Sequence, residues 1–296
     1  MMKTIIKTAI CLMFATPLMA QHSSLTSNYL FNLFAINPAY AGQKGALDVT
    51  AFYRKQWAGL NGAPETYGAM GHLEVRPKNF GIGIQIQNEK ISLFTDTKLT
   101  VAFAYKVKLN KKSSLSFGVS PGLQRTVTDW NKLVTTQSGD ATFADYRQPK
   151  NRFVTGAGAF FTDNKFYVGV SAPDLLELST TNKLAEYNIM AGYVYKVSDN
   201  LSIKPFTLIR GVKNSPLQFD ASVAAYFNQM LGVGLSYRNK ESILIFSELL
   251  IKKQFKIGYA YDYGIGNLKK FNSGSHEIML NYFFGRTTNA ATPRFF

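Results

Sequence analysis

The stretch "ALDVTAFYRKQW", Ala46 to Trp57, decides how the rest of the chain is read. Leu47, Val49, Ala51 and Tyr53 fall on one face of an extended backbone, and Asp48, Thr50, Phe52 and Arg54 on the other. Successive side chains of a strand point to opposite faces, so this is a strand with one apolar and one mostly polar face. The pattern recurs downstream. "NFGIGIQIQ" sets Phe80, Ile82, Ile84 and Ile86 against Gly81, Gly83, Gln85 and Gln87. "QFKIGYAYDY" sets Phe255, Ile257, Tyr259, Tyr261 and Tyr263 against Lys256, Gly258, Ala260 and Asp262. "HEIMLNYFF" sets Ile278, Leu280, Tyr282 and Phe284 against Glu277, Met279 and Asn281. Strands of about ten residues are predicted to start near 46, 65, 79, 97, 113, 152, 164, 187, 201, 216, 230, 242, 254 and 275. Two are irregular: "SILIFSELLI" is apolar on both faces, and "LSIKPFTLIR" carries Pro205, which has no N–H for a closed ladder.

The connections separate a soluble sandwich from a membrane barrel. After the even strands come tight turns: "RPKN", "NKKS", "TDN", "VSDN", "NQM" and "KKQ". After odd strands come longer links: "AGLNGAPE", "NEKISLFTD", the span 124–151, "PDLLELSTTNKLAE" and "GIGNLKKFNSGS". Short periplasmic turns opposite longer outside loops mark outer-membrane barrels, and aromatics toward the strand ends suit their interface girdles. The expected fold is therefore all-β: a transmembrane antiparallel outer-membrane barrel of about 14 strands. Apolar faces meet lipid, and the Gly, Gln, Ser and Lys faces meet the lumen. The last strand ends in Tyr282, Phe283 and Phe284, ahead of a tail "GRTTNAATPRFF".

Residues 1–20 read as a cleaved signal peptide: Lys3 and Lys7, an apolar stretch Ile5 to Leu18, then "PLMA" ending at Ala20. The single cysteine, Cys11, lies inside it, so the mature chain carries no disulfide. The parts are then 1–20 signal peptide, 21–45 N-terminal segment, 46–285 barrel and 286–296 tail. The net charge is +15, of which about +13 remains without Lys3 and Lys7. An exported chain has little access to nucleic acid, so such a charge points to outer-membrane lipid, lipopolysaccharide or an acidic partner. Arg76 with Lys78, Lys111 with Lys112 and Lys252 with Lys253 crowd the short turns. They are solvated turn residues or a basic periplasmic rim.

Catalytic chemistry finds little support. The three histidines are His22, His72 and His276. His72 sits on the polar face of the second strand, near Glu74, as a lumenal residue. His276, in "SGSHE", marks a loop-to-strand junction beside Ser273, Ser275 and Glu277, and adjacency does not make a triad. Asp140 and Asp145 in "SGDATFAD" lack the ligand density and fixed glycine of a calcium loop. No phosphate-binding glycine loop or zinc spacing occurs. A non-enzymatic protein without metal or cofactor is expected.

Several stretches resemble the PorP/SprF family of type IX secretion membrane proteins of Bacteroidota. They are "YLFNLFAINPAYAG", "YRKQWAGLNGAPET", "GIGIQIQNEKI", "YVGVSAPDLL", "AGYVYKVSDNLSIKPFTLIRGVKNSPLQFD", "LGVGLSYR", "IGYAYDY" and "SGSHEIMLNY", in the family's order and over most of the mature chain. The 124–151 loop matches weakly, and the tail after Gly285 runs past the usual end. The resemblance implies an outer-membrane barrel that works with type IX secretion components. It also implies binding to the C-terminal domain of an exported cargo, such as a surface adhesin in gliding members. A porin or diffusion channel is the competing reading, with the 124–151 loop as a constriction; a hydrolase would need a triad.

One segment fits neither strand nor loop. "YLFNLFAINPAYAG", Tyr29 to Gly42, is mostly apolar, does not alternate, and is too short to span a membrane. Both ends of the barrel should be periplasmic, so this segment would plug the lumen or cap the periplasmic mouth and present a docking face. Asn37, Pro38 and Gly42 would turn the chain into the first strand, and Tyr29, Phe31, Phe34 and Tyr40 would anchor it. Trp57, Asn61 and Pro64 are expected on an extracellular loop, with Tyr261 and Asp262 at a strand-to-loop junction of the same side.

Overall fold

The computed structural model describes residues 26–75, 79–129, 149–177, 185–212 and 215–284. The expectations for the signal peptide, His22, Arg76 and Lys78, Asp140 and Asp145, and the 286–296 tail lie outside these residues.

The strands are β1 (Leu47–Lys55), β2 (Glu65–Val75), β3 (Phe80–Ile91), β4 (Phe94–Lys108), β5 (Ser114–Thr128), β6 (Lys150–Thr162), β7 (Phe166–Glu177), β8 (Glu186–Tyr193), β9 (Tyr195–Lys196), β10 (Leu201–Val212), β11 (Gln218–Phe227), β12 (Leu231–Arg238), β13 (Ser242–Ile251), β14 (Phe255–Gly264) and β15 (Ser275–Phe284). The two-residue β9 continues β8, so the wall has fourteen staves. Neighbours in sequence pair antiparallel all the way round, and β1 pairs with β15 from Leu47↔Phe284 to Lys55↔His276. The sheet is a closed barrel without edges, the form in which strands can cross a membrane.

Alternation sets the two faces as the sequence predicts. In β1, Asp48, Thr50, Phe52 and Arg54 are buried, while Val49 and Tyr53 are exposed on the outside. The outer face is a belt of exposed apolar side chains, with Leu123 60%, Ile84 54% and Phe117 53% accessible. Such a belt is tolerable only against lipid. The doubly apolar β13 turns Leu244 and Phe246 inward and Ile243 and Ile245 outward, because here the lumen is apolar too. Pro205 stays in β10 by opposing Val223 of β11. On its other side the ladder stops at Phe206↔Gly192 and resumes at Ile203↔Tyr195. That break is where β8 ends and β9 begins, and the Val194 N–H turns away to the Lys165 carbonyl at 2.6 Å.

Two predicted loops prove to be strand. "NEKISLFTD" carries the end of β3 and the start of β4, joined by a tip at Ser92 and Leu93. Its polar and apolar residues do not alternate, so it read as a loop, but it extends the ladder, where Asn88 Nδ2 donates to Thr97 Oγ1 at 2.7 Å. "PDLLE" likewise belongs to β7, past an irregularity in its pairing with β6 between Thr155 and Ala157.

The core lies inside the wall. It is built on Ser27–Leu30, Leu33–Ala35 and Pro38–Tyr40, three short 3-10 turns that thread the lumen. Inward glycines make the room. A Cβ on Gly118 would strike the backbone of Pro38 and Ala39, one on Gly81 the Ala41 carbonyl, and one on Gly83 the Phe34 ring. We expect Gly118→Val to destabilise the barrel by about 1–3 kcal/mol, as overpacking does. The outward Val119→Ala should be nearly silent. Loss of compact, heat-modifiable migration on gels at lower temperature checks both.

Candidate functional site

The N-terminal segment descends through the lumen from the end with the long loops to the end with the tight turns. At the loop end the Ser27 N–H donates to Glu277 Oε2 at 2.6 Å, and Arg54 Nη1 donates to Ser27 Oγ at 3.2 Å. At the turn end the Gly42 N–H donates to His72 Nδ1 at 3.2 Å, and Lys106 Nζ donates to the Gly42 carbonyl at 3.2 Å. Both ends of the barrel wall, Leu47 and Phe284, sit at the turn end as expected. The start of the described chain does not: it lies among loop-end residues. The periplasmic-cap alternative for this segment is thereby replaced by a path through the whole lumen.

The sequence-predicted residues of this segment meet in one place. Asn37 caps the last 3-10 turn, its side chain accepting from the Ala39 N–H at 2.9 Å, with Pro38 next to start the turn. The same side chain donates through Nδ2 to the carbonyls of Ala159 and Val170, at 3.1 and 3.3 Å, and so joins the plug to β6 and β7. Gly42 has φ +76° and its missing Cβ leaves room for Gly81 Cα, so only glycine suits the bend into β1. Tyr29 donates its hydroxyl to Asp220. Phe31 meets Phe246 edge-on at 6.0 Å; Phe34 and Tyr40 meet His72 at 4.9 and 5.6 Å, and Tyr40 meets Phe160 at 5.2 Å.

Around the upper plug runs a ring of buried charge. Arg54 pairs with Asp262 at 2.9 Å and Glu277 at 3.3 Å, and Arg238 with Asp220 at 3.1 Å and Asp262 at 3.4 Å. Arg54 and Arg238 are 1% and 0% exposed. Charges taken from water cost several kcal/mol each unless fully paired. Ser27 and Tyr29 of the plug add hydrogen bonds to Glu277, Arg54 and Asp220 of that ring. Lower down, Lys256 pairs with Glu248 at 3.2 Å and donates to the Phe31 carbonyl at 3.1 Å; Lys44 pairs with Asp48 at 3.0 Å. Beside the plug lies a cavity of about 20 Å³ lined by Lys44, Lys204 and Lys256 among others, room for about one water.

The remaining sequence-predicted residues separate. Trp57, Asn61 and Pro64 do lie on the β1–β2 loop, where the Trp57 N–H reaches Ser275 Oγ at 3.1 Å and the Pro64 carbonyl accepts from Gln56 at 2.9 Å. Tyr261 and Asp262 lie within β14 near its loop end: Tyr261 donates its hydroxyl to the Ser273 carbonyl of the β14–β15 loop at 3.0 Å, and Asp262 points inward, 4% exposed, into the charge ring. His72 is the lumenal residue expected. His276 opens β15 on the outer face, where its Nδ1 meets the Tyr259 hydroxyl at 2.7 Å. Arg54, Asp220, Arg238 and Glu277 went unrecognised as a site. Their inward parity was readable; the bonds between strands distant in sequence were not.

A profile of type IX secretion system membrane proteins, PorP/SprF, matches residues 18–282. The chain belongs to the PorP/SprF family. No curated protein matches it. Among solved structures it is similar to the CymD monoaromatic hydrocarbon channel, with a TM-score of 0.53 at 11% identity over 89% of this chain and 94% of that one. It also matches the Acinetobacter baumannii outer membrane protein Omp33, with a TM-score of 0.46 at 12% identity over 81% and 98%. The first likeness supports the outer-membrane barrel fold and nothing finer.

The charge ring makes a direct prediction. Arg54→Met leaves Glu277 and Asp262 buried beside a lost partner, and should cost about 3–5 kcal/mol of barrel stability. Urea unfolding in lipid or detergent, read by tryptophan fluorescence, measures it.

Proposed function

We propose that this PorP/SprF member is a non-enzymatic, non-conducting outer-membrane barrel that binds the C-terminal domain of an exported cargo for the type IX machinery. Cargo binding anchors the exported protein or supports its passage. The family membership supports a role with secretion components, and one observation favours a binding role over a diffusion channel: the lumen is filled from Ser27 to Gly42. A porin needs a water-filled path, and here the inward glycines admit backbone instead. The porin reading therefore requires the plug to leave, against its aromatic contacts and its hydrogen bonds to both ends of the wall.

Two measurements test this. The intact barrel should be silent in planar bilayers, and deletion of residues 21–41 should produce steady ion conductance. A conducting intact barrel would favour the porin. Pull-down of the tagged protein from outer membranes of its own host should recover a large exported protein in near-stoichiometric amount, retained only while its C-terminal domain is present. Recovery of the barrel alone would contradict cargo binding.

A further inference from the structure

The outer face of the barrel is almost free of charge, and its exceptions are gathered in one place. Among the described strand residues, the outward-pointing charged side chains are Lys55 of β1, Glu65 of β2, Lys90 of β3 and Arg125 of β5. The other lysines, arginines and acids of the strands whose side chains are described fall on inward positions. The four outward charges sit at the loop end, three on the adjacent strands β1, β2 and β3 and Arg125 on β5, with β4 between. Lys55 opposes Glu65, and Glu65 opposes Lys90, so three of them form one continuous rung. Lys55 Nζ and Glu65 Oε1 are 2.7 Å apart. Arg125 closes the next rung down, which runs Tyr53, Tyr67, Asn88, Thr97, Arg125. Below that come Ala51, Ala69 and Ile86, then Val49, Gly71 and Ile84.

This order fixes the depth. Outward tyrosines, Tyr53 at 42% and Tyr67 at 52% exposed, mark the interface level of a membrane barrel, and the apolar rungs below mark hydrocarbon. The Lys–Glu–Lys rung then stands at headgroup height. The β1–β2 loop bends over it: Leu60, Asn61, Gly62 and Ala63, with Lys55, Glu65, Lys90 and Ser92, enclose a groove of about 300 Å³. The loop is held there by the Ser92 N–H, which donates to the Gly62 carbonyl at 3.0 Å. Lys55 and Lys90 line this groove against the one carboxylate of Glu65, with Arg125 a rung lower on β5; that charge and depth match a phosphorylated headgroup whose acyl chains lie along the apolar rungs.

We propose that Lys55 and Lys90 bind one phosphate of an anionic glycolipid in the leaflet at the loop end, with Glu65 holding Lys55 in place and limiting affinity, and that Arg125, two strands along from Lys90, meets a second phosphate of the same lipid. The site rests on the outer-membrane barrel and is independent of the plug and of cargo binding.

Native mass spectrometry of the full barrel, mixed with bisphosphorylated lipid A or its dephosphorylated form, tests it. The barrel should retain the phosphorylated lipid at least tenfold more, and each of Lys55→Gln, Lys90→Gln and Arg125→Gln should lower retention about fivefold. Glu65→Gln should raise it. Heat-modifiable migration confirms that each variant is folded. Equal retention of the two lipids, or unchanged retention in the triple Gln variant, would overturn the site. So would displacement of the lipid by millimolar inorganic phosphate, which would indicate a free-anion site.

Discussion

A closed wall of fourteen strands encloses a lumen wider than its own side chains can fill. It must hold water, a ligand or more chain. This protein holds chain, and the requirement shapes the rest of the structure. Gly81, Gly83, Gly118 and Gly158 stand on inward positions where a side chain would collide with the plug. The plug has no regular helix or sheet to satisfy its backbone, so the wall supplies partners: Glu277 for the Ser27 N–H, His72 for the Gly42 N–H, Lys256 for the Phe31 carbonyl and Lys106 for the Gly42 carbonyl. Buried polar groups left without such partners would cost about 1–3 kcal/mol each.

The wall was legible from sequence because its physics is local. Period-two alternation in "ALDVTAFYRKQW" or "QFKIGYAYDY" depends on residues a few positions apart. Each predicted strand start falls within about three residues of the observed one, the usual uncertainty of element boundaries. The errors came where alternation of polarity fails. β3 and β4 run on through "NEKISLFTD", a hairpin in which three polar residues stand in a row before Ile91 and no period-two alternation announces a strand. For Asp262 the inward parity with Ala260 and Gly258 was legible, but its pairing with Arg54 and Arg238, which come from strands distant in sequence, was not.

The plug was legible in part. Its apolar content and lack of alternation showed that it buries itself, and Asn37, Pro38 and Gly42 marked a bend. Its direction was not readable. Nothing local in "YLFNLFAINPAYAG" says that Tyr29 belongs beside Asp220 and Gly42 beside His72, since those contacts join elements separated by long stretches of chain. The inward glycines were the unused clue: a lumenal face that is small as well as polar makes space for backbone, not for water.

This arrangement leaves the barrel with distinct surfaces. Its lumen is occupied, its outer wall is apolar but for the basic rung near the long loops, and its knitted β1–β2 and β14–β15 loops share the bonds Ala58 N–H to the Gly274 carbonyl, 2.7 Å, and Ser273 N–H to the Ala58 carbonyl, 2.8 Å. The central claim is that the N-terminal segment resides inside the wall. Because Cys11 is the chain's only cysteine and lies in the predicted signal peptide, one engineered thiol can test it. Ala39→Cys, at a site that is 0% exposed, should resist a membrane-impermeant maleimide in the folded barrel and react after denaturation, while Ser92→Cys at the exposed hairpin tip reacts at once. Rapid labelling of Cys at position 39 in the folded barrel would show that the segment lies outside the lumen and would contradict the account.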